Sequence, residues 1–514
     1  RGTLTNQHTI KRNNRKSELA LRDLEIITVN DAVSSGSIAS EEKVNPLYET
    51  LLINQFHDIL PGTCLNRAHV ESRAQTTELI SKARAYIAES VSKNKKDGVI
   101  TLTNTLSFDR NDPLFIDYKE GYIIDGDYKQ QIYTDLDGSK KLLVSGVTVP
   151  AMSSVTLKLK KGEISGKSAF RRVDSSLETP FAKVEFAPNG TMSSFIDKRE
   201  NREIRGEGFN FNTLIMAEDV PSAWDNWDID ADLEPKFEDV SNLVSSEVVS
   251  DGEAAYIIRN KYKISSKSTV KQDMMFFADS AEVRFDTIMD WQDDHRFLKT
   301  AFDTNVCDDY ARFEIQFGNV KRPTTRNDSV EQAKFELVNH KYTDLSETRF
   351  GVSILNDCKY GISVNGGQMR LSLHKGGTRP DYKGDHDGLH RAVYSFLPHD
   401  GGFSAENVIR PAYELNVPVI ESESEYTLNS LVSVDAPNVI VEAVKPCEDA
   451  EKAYIVRMYE AEGSAANANV TVLNSAKKTE ITNMLEEAQS VLPDAVSNVL
   501  SFKPFEIKTI KVTY

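Results

Sequence analysis

The feature that most constrains this chain is a change of hydrophobic period at Lys95-Lys96-Asp97-Gly98. Upstream, Ala20, Leu24 and Ile27 recur at helical spacing, and so do Leu79, Ala83 and Ile87. Downstream, Val155, Leu157 and Leu159 alternate with Thr156 and Lys158. A period of 3.6 places side chains on one face of a helix, and a period of 2 places them on one face of a strand. The two patterns do not fit one repeating fold, so the chain reads as α+β and multidomain, a three-helix bundle followed by several antiparallel β-sandwich domains.

The first helix is predicted over Asn13 to Val33, before the breaker Ser34-Ser35-Gly36-Ser37. A second begins near Glu41 and stops at Pro61-Gly62. It carries two adjoining apolar stripes, Leu47 with Leu51, and Tyr48 with Leu52 and Phe56. A third runs from about Asn66 to Lys93. Short links between three helices suggest an antiparallel bundle. Beyond Val99, turns such as Asn189-Gly190 and Asn365-Gly366-Gly367 separate short strands, a β-sandwich pattern. At the far end, Phe505 and Ile507 are out of phase with Ile510, Val512 and Tyr514, which predicts a bulge. The expected division is a helical domain over 1–96, a small β domain over 97–165, a large sandwich over 166–420 and a second sandwich over 421–514.

Composition narrows the partners. The formal charge is −17 with no basic run, which argues against nucleic acid. No apolar stretch approaches the roughly 18 residues that span a bilayer, and no signal peptide follows Arg1, so neither membrane nor secretion is expected. Cys64, Cys307, Cys358 and Cys447 have no paired spacing and read as reduced thiols of a cytoplasmic protein. The sequons at Asn189, Asn327 and Asn469 are read as chance.

The stretch carrying most chemistry is Asn54-Gln55-Phe56-His57-Asp58-Ile59-Leu60-Pro61-Gly62-Thr63, which sets an imidazole beside a carboxylate at a helix end. By local chemistry alone, His57 is either a structural histidine or a metal ligand. In Trp224-Asp225-Asn226-Trp227-Asp228-Ile229-Asp230, the two indoles are either a sugar-stacking platform or anchors packed on the β core. Asp385-His386-Asp387 with His390 has chelating spacing, but Gly384 and Gly388 suggest a solvated loop. Arg322 and Arg326 read as structural, and Arg379 as a residue able to reach a cleft.

The NQFHDILPGT stretch resembles the segment that closes the active site of family 38 α-mannosidases. The opening RGTLTNQ with KRNNRKSE is similar to the segment before that family's three-helix middle domain. Further similar segments follow in order: NGTMSSFIDK from Asn189, AWDNWDID from Ala223, RPTTRND from Arg322, AKFELVNHKYTDLSE from Ala333, LNDCKYG from Leu355 and IVRMYEAEG from Ile455.

The resemblance implies an exo-acting, retaining, zinc-dependent α-mannosidase acting on α-mannoside oligosaccharides, of which this chain supplies the middle and C-terminal domains. It implies that His57 is one of two histidines that bind Zn²⁺ together with two aspartates, and that Asp58 contacts the sugar. It places the Trp224 loop near the mouth of the site, with Trp224 and Asp225 as substrate-binding candidates, and gives the Asp385 loop no metal role. The family's nucleophile and acid/base belong to an N-terminal catalytic barrel, so no catalytic residue is expected here. A lone histidine does not hold zinc, since catalytic sites use about three protein ligands. The chain by itself is therefore expected to be inactive and zinc-free. The β domains are expected to wall the cleft and to offer an interdomain or homo-oligomeric interface. The alternative is a non-catalytic carbohydrate-binding or scaffolding protein. An epimerase-like enzyme would need an acid and a base such as His340, His374 and Glu336, whose spacing does not favour them.

Overall fold

The computed structural model describes every residue of the chain except 165, 387 and 450. Three helices open it: α1 (His8–Ser35), α2 (Asn45–Asn54) and α3 (Asn66–Val91). The predicted inward residues do face inward, with Ala20, Leu24, Ile27, Leu47, Leu51, Leu79, Ala83 and Ile87 buried in one cluster. Gly36, in the left-handed conformation, ends α1 by donating to the carbonyls of Ala32 and Val33. α2 closes at Asn54, earlier than the Pro-Gly stop, so residues 55–63 form a chain of turns instead of a last helical turn. Only one of its two apolar stripes is buried. Leu52, Ile53 and Phe56 are exposed, because α2 packs on the bundle through Leu47 and Leu51, with Tyr48 of the second stripe half-buried at its edge.

After Gly98 the chain is β-rich and the strands pair antiparallel. A small unit pairs Val99–Asn104 with Ser153–Lys161, and the strand Ile420–Ser422 returns to complete its edge, Thr101 opposite Ser422. A large sandwich stacks a nine-stranded sheet on a six-stranded one among the described residues. Its core includes Trp291, Phe285, Phe302, Phe396 and Tyr394. The last unit packs a three-stranded sheet on a five-stranded one around Tyr454, Val456, Ile510 and Val512. Ile26, Val29 and Ala32 of α1 belong to that same core, so α1 serves both the bundle and the C-terminal sandwich.

The expected bulge between Ile507 and Ile510 does not form. The strand Ile507–Thr513 keeps register with its neighbour without a break, from Tyr459 opposite Ile507 to Ala453 opposite Thr513. The phase break lies before it, where Phe505 takes a left-handed backbone (φ 57) in the preceding turn. Among the described residues no helix is long and apolar enough to cross a membrane. All four cysteines are free.

Candidate sugar and metal site

His57 sits in the turn three residues past α2 with 76% of its side chain exposed. Its Nε2 lies 3.5 Å from Asp58 Oδ2, and its ring packs on Phe56 with centroids 4.3 Å apart. The Thr63 hydroxyl donates to Asp58 Oδ1 at 3.0 Å and the Thr63 amide to the Asp58 carbonyl at 3.1 Å, which closes the loop. One Asp58 oxygen is thus used internally while the other faces His57.

The loop is held from beneath by the start of the chain. Asn6 Nδ2 donates to the Gly62 carbonyl at 3.2 Å, and the Lys11 ammonium reaches the carbonyls of Leu60 and Pro61, both at 3.2 Å. Burial lowers the Lys11 amine to about 7, against the pull of Asp385. Gly62 has φ +77, and a Cβ there would lie 2.7 Å from Gln7 Cγ, so this close approach needs glycine.

The second loop is tied to the first. Asn6 Nδ2 also donates to the Asn226 carbonyl at 2.7 Å, and Asn226 donates from its amide to the Arg379 carbonyl at 3.1 Å. Trp224 (59% exposed) and Trp227 (47%) present their indoles to solvent, whereas the third tryptophan, Trp291, is fully buried. The anchoring reading of the two loop indoles therefore does not hold. Asp225 is buried instead. Its carboxylate accepts from the amides of Thr378 (2.7 Å) and Arg379 (2.6 Å) and from the Thr378 hydroxyl (3.2 Å). It clamps the Gly376-Gly377-Thr378-Arg379 turn under the tryptophan loop, and Arg379 lies exposed on that turn.

Further along, Asp381 accepts from Asn66 (3.3 Å) and pairs with His69 Nδ1 at 2.7 Å, both side chains essentially buried. Burial pushes the Asp381 carboxyl up, but the His69 and Lys383 hydrogen bonds outweigh it and leave it below its ordinary value. Sequence reasoning missed His69. It lies seven residues before Thr76 and ten before Leu79, on the buried face of α3, and that spacing was legible.

The other singled-out residues lie elsewhere. Arg326 makes a two-pronged pair with Glu234 (2.9 and 3.0 Å), and Arg322 donates to the Val338 carbonyl. Glu336 is buried, paired with the Lys299 ammonium and accepting from the Ser372 hydroxyl, so it offers no free acid or base. The expected solvated loop at 384–388 is corrected in part: Asp385 and His390 are buried, because the segment turns inward against His8 and His374. Asp387 lies outside the described residues. An open cavity of about 900 Å³ borders the back of the 55–63 loop at Lys11, Gln55, Leu60 and Pro61, but neither His57 nor Asp58 lines it.

Three family descriptions match the chain. Residues 1–93 match the alpha mannosidase middle domain, 177–383 the glycosyl hydrolases family 38 C-terminal domain, and 438–510 the family 38 C-terminal beta sandwich domain. Among relatives, alpha-mannosidase 2C1 of Homo sapiens is 30% identical over 99% of this chain and 49% of its own length. Alpha-mannosidase G of Dictyostelium discoideum is 30% identical over 99% and 52%. The chain thus spans about half the length of the curated relatives it matches. An alpha-mannosidase structure from Enterococcus faecalis V583 superposes over 100% of this chain and 68% of its own, with TM-score 0.77 at 14% identity, a likeness of fold.

Proposed function

The chain belongs to glycoside hydrolase family 38, whose middle and C-terminal domains it carries, and from that premise we propose that it is the cleft-building half of a zinc-dependent, exo-acting, retaining α-mannosidase. The observation that carries the reading is the setting of His57. An imidazole that is 76% exposed, beside a half-used carboxylate and against the exposed Phe56, just past a helix end that leaves Leu52 and Ile53 exposed, is a surface built to meet another surface. In the proposal that other surface is the family's catalytic barrel.

The donor set supports a shared ion. His57 Nε2 and Asp58 Oδ2 point together, yet they are one histidine and one carboxylate, too few to hold zinc alone. His57 would supply one ligand, and the bound ion supplies Lewis acidity toward sugar hydroxyls. The two carboxyl groups of a retaining mechanism, about 5–5.5 Å apart, lie in the other half. What this chain's own residues do is position the sugar. Asp58 accepts from a hydroxyl, the exposed face of Trp224 covers the apolar face of the pyranose, and Asp225 keeps the Trp224 loop and the Arg379 turn in register. The substrate class is α-mannosides. The four free thiols fit a cytoplasmic setting. We divide the chain into units over 1–96, 97–165, 166–420 and 421–514, with α1 running beneath the first and last.

The test is hydrolysis of a synthetic α-mannoside by the full-length protein, with and without a chelator. His57→Ala is expected to lose the zinc of the His57 position and activity together while melting at an unchanged temperature. Full activity in that variant would remove His57 from the metal site. Mannoside binding without any hydrolysis by the full-length wild type would favour the non-catalytic carbohydrate-binding reading.

A further inference from the structure

A second cluster of metal-binding side chains lies inside the large sandwich, away from the exposed His57 turn. His374 is the next-to-last residue of the strand Gln368–Lys375 of the six-stranded sheet, and His390 is the second residue of the strand Leu389–Asp400 of the nine-stranded sheet. Asp385 lies on the segment between them. One ligand atom from each falls within 4.8 Å of the others, and all three residues are buried.

The hydrogen bonds leave this cluster incomplete. His390 Nε2 is 3.0 Å from the Asp385 carbonyl. A carbonyl only accepts, so that nitrogen carries the proton and Nδ1 keeps a bare lone pair, which has no partner. This is the arrangement in which a ligating histidine is oriented by a backbone carbonyl through its other nitrogen. Neither nitrogen of His374 has a hydrogen-bond partner, and Nε2 lies 3.4 Å from Asp385 Oδ2. Asp385 Oδ2 accepts from the His8 amide at 2.8 Å, while Oδ1 has no partner. Buried polar atoms left without a partner are costly, and each of these three side chains carries one while a ligand atom of each lies within 4.8 Å of the others. His8 is not part of the set, since its Nε2 meets the Arg391 carbonyl and its Nδ1 the Lys359 ammonium.

We propose that His374, Asp385 and His390 bind a divalent transition-metal ion, of which zinc is the probe of choice, independently of the His57 position. Two imidazoles and a carboxylate are the donors such ions select, with water in the fourth place. A tetrahedral zinc with bonds of about 2.0–2.1 Å has ligand–ligand edges of roughly 3.4 Å. The His374–Asp385 edge already has that length, and the remaining edges close by at most about 1.4 Å. The ion joins the two sheets of the sandwich at one end. Through Asp385 it also fixes the first turn of α1, and through the same segment the Asp381–His69 and Asp225 clamps. The expectation of a zinc-free chain then applies to the His57 position only.

The test uses the full-length protein carrying His57→Ala, loaded with Zn²⁺, dialysed into metal-free buffer and analysed by mass spectrometry for metal per chain. About one zinc is expected to remain. It is expected to fall at least tenfold when His374→Ala or Asp385→Asn is added, the latter keeping an oxygen to accept from the His8 amide. Co²⁺ added to the His57→Ala protein is expected to give visible d–d absorption, a reading that needs no second substitution. Absence of both retained zinc and the cobalt band in the His57→Ala protein overturns the proposal. So does undiminished zinc in an Asp385→Asn protein whose near-ultraviolet circular dichroism is native.

Discussion

The side-chain amide of Asn6 donates at 2.7 Å to the carbonyl of Asn226, 220 residues away in sequence. The same Nδ2 donates to Gly62 in the His57 turn, so one buried amide ties the His57 loop to the tryptophan loop. Asn6→Ala removes both bonds and strands two buried carbonyls. The expected cost is about 2–3 kcal/mol, read as a lowered denaturation midpoint, with a loss of kcat/KM in the full-length enzyme larger than the loss of stability accounts for. Asn6→Asp, which cannot donate, is expected to lose the same two bonds while keeping an oxygen for the Lys11 ammonium, which reaches Asn6 Oδ1 at 3.0 Å.

Gly62→Ala tests the close approach beneath His57. The left-handed backbone costs an alanine about 1–2 kcal/mol, and the new methyl meets Gln7 Cγ at 2.7 Å. A total loss of about 2–4 kcal/mol is expected. Pairing it with Gln7→Ala is expected to recover only a small part of the loss, because Gln7 Cβ at 2.8 Å and Asn6 Oδ1 at 2.9 Å still meet the methyl and the backbone cost remains.

Trp224→Ala tests the sugar platform. The indole is 59% exposed, so the melting temperature is expected to stay within about 1 °C, while KM for an α-mannoside rises several-fold to about tenfold. Asp225→Ala is expected to do the opposite. It leaves the part-buried amides of Thr378 and Arg379 without their acceptor, lowers stability by about 1–2 kcal/mol, and affects KM only through the loosened loop.

Glu25 gives the bundle a pH dependence. Burial raises its carboxyl from 4.5 to about 7, although the Tyr48 hydroxyl donates to it at 3.0 Å and pulls the other way. The folded chain therefore keeps a proton that the unfolded chain has lost. Its contribution to stability is complete below about pH 4.5 and is lost as pH rises through about 7. Glu25→Gln is expected to melt higher than wild type at pH 8, by up to roughly 3 kcal/mol of stability, with the difference shrinking towards pH 5. Thermal melts at the two pH values check the sign.

What the residues determined by themselves was local. The helical stripe through Ala20, Leu24 and Ile27, the alternation through Val155 and Leu157, the reduced thiols and the His57–Asp58 pair were all legible, because period and neighbouring chemistry are properties of short segments. What only the tertiary structure decided was which faces found partners. Leu52 and Phe56 form a stripe left mostly exposed among the described residues, Asp225 is consumed by a turn 153 residues later, and His374 and His390 meet across two sheets around an aspartate that its glycine neighbours suggested was solvated. Burial and hydrogen-bond satisfaction depend on residues distant in sequence, which a periodic pattern does not encode, and that is why the site's scaffold became visible only after the sheets and helices were brought together.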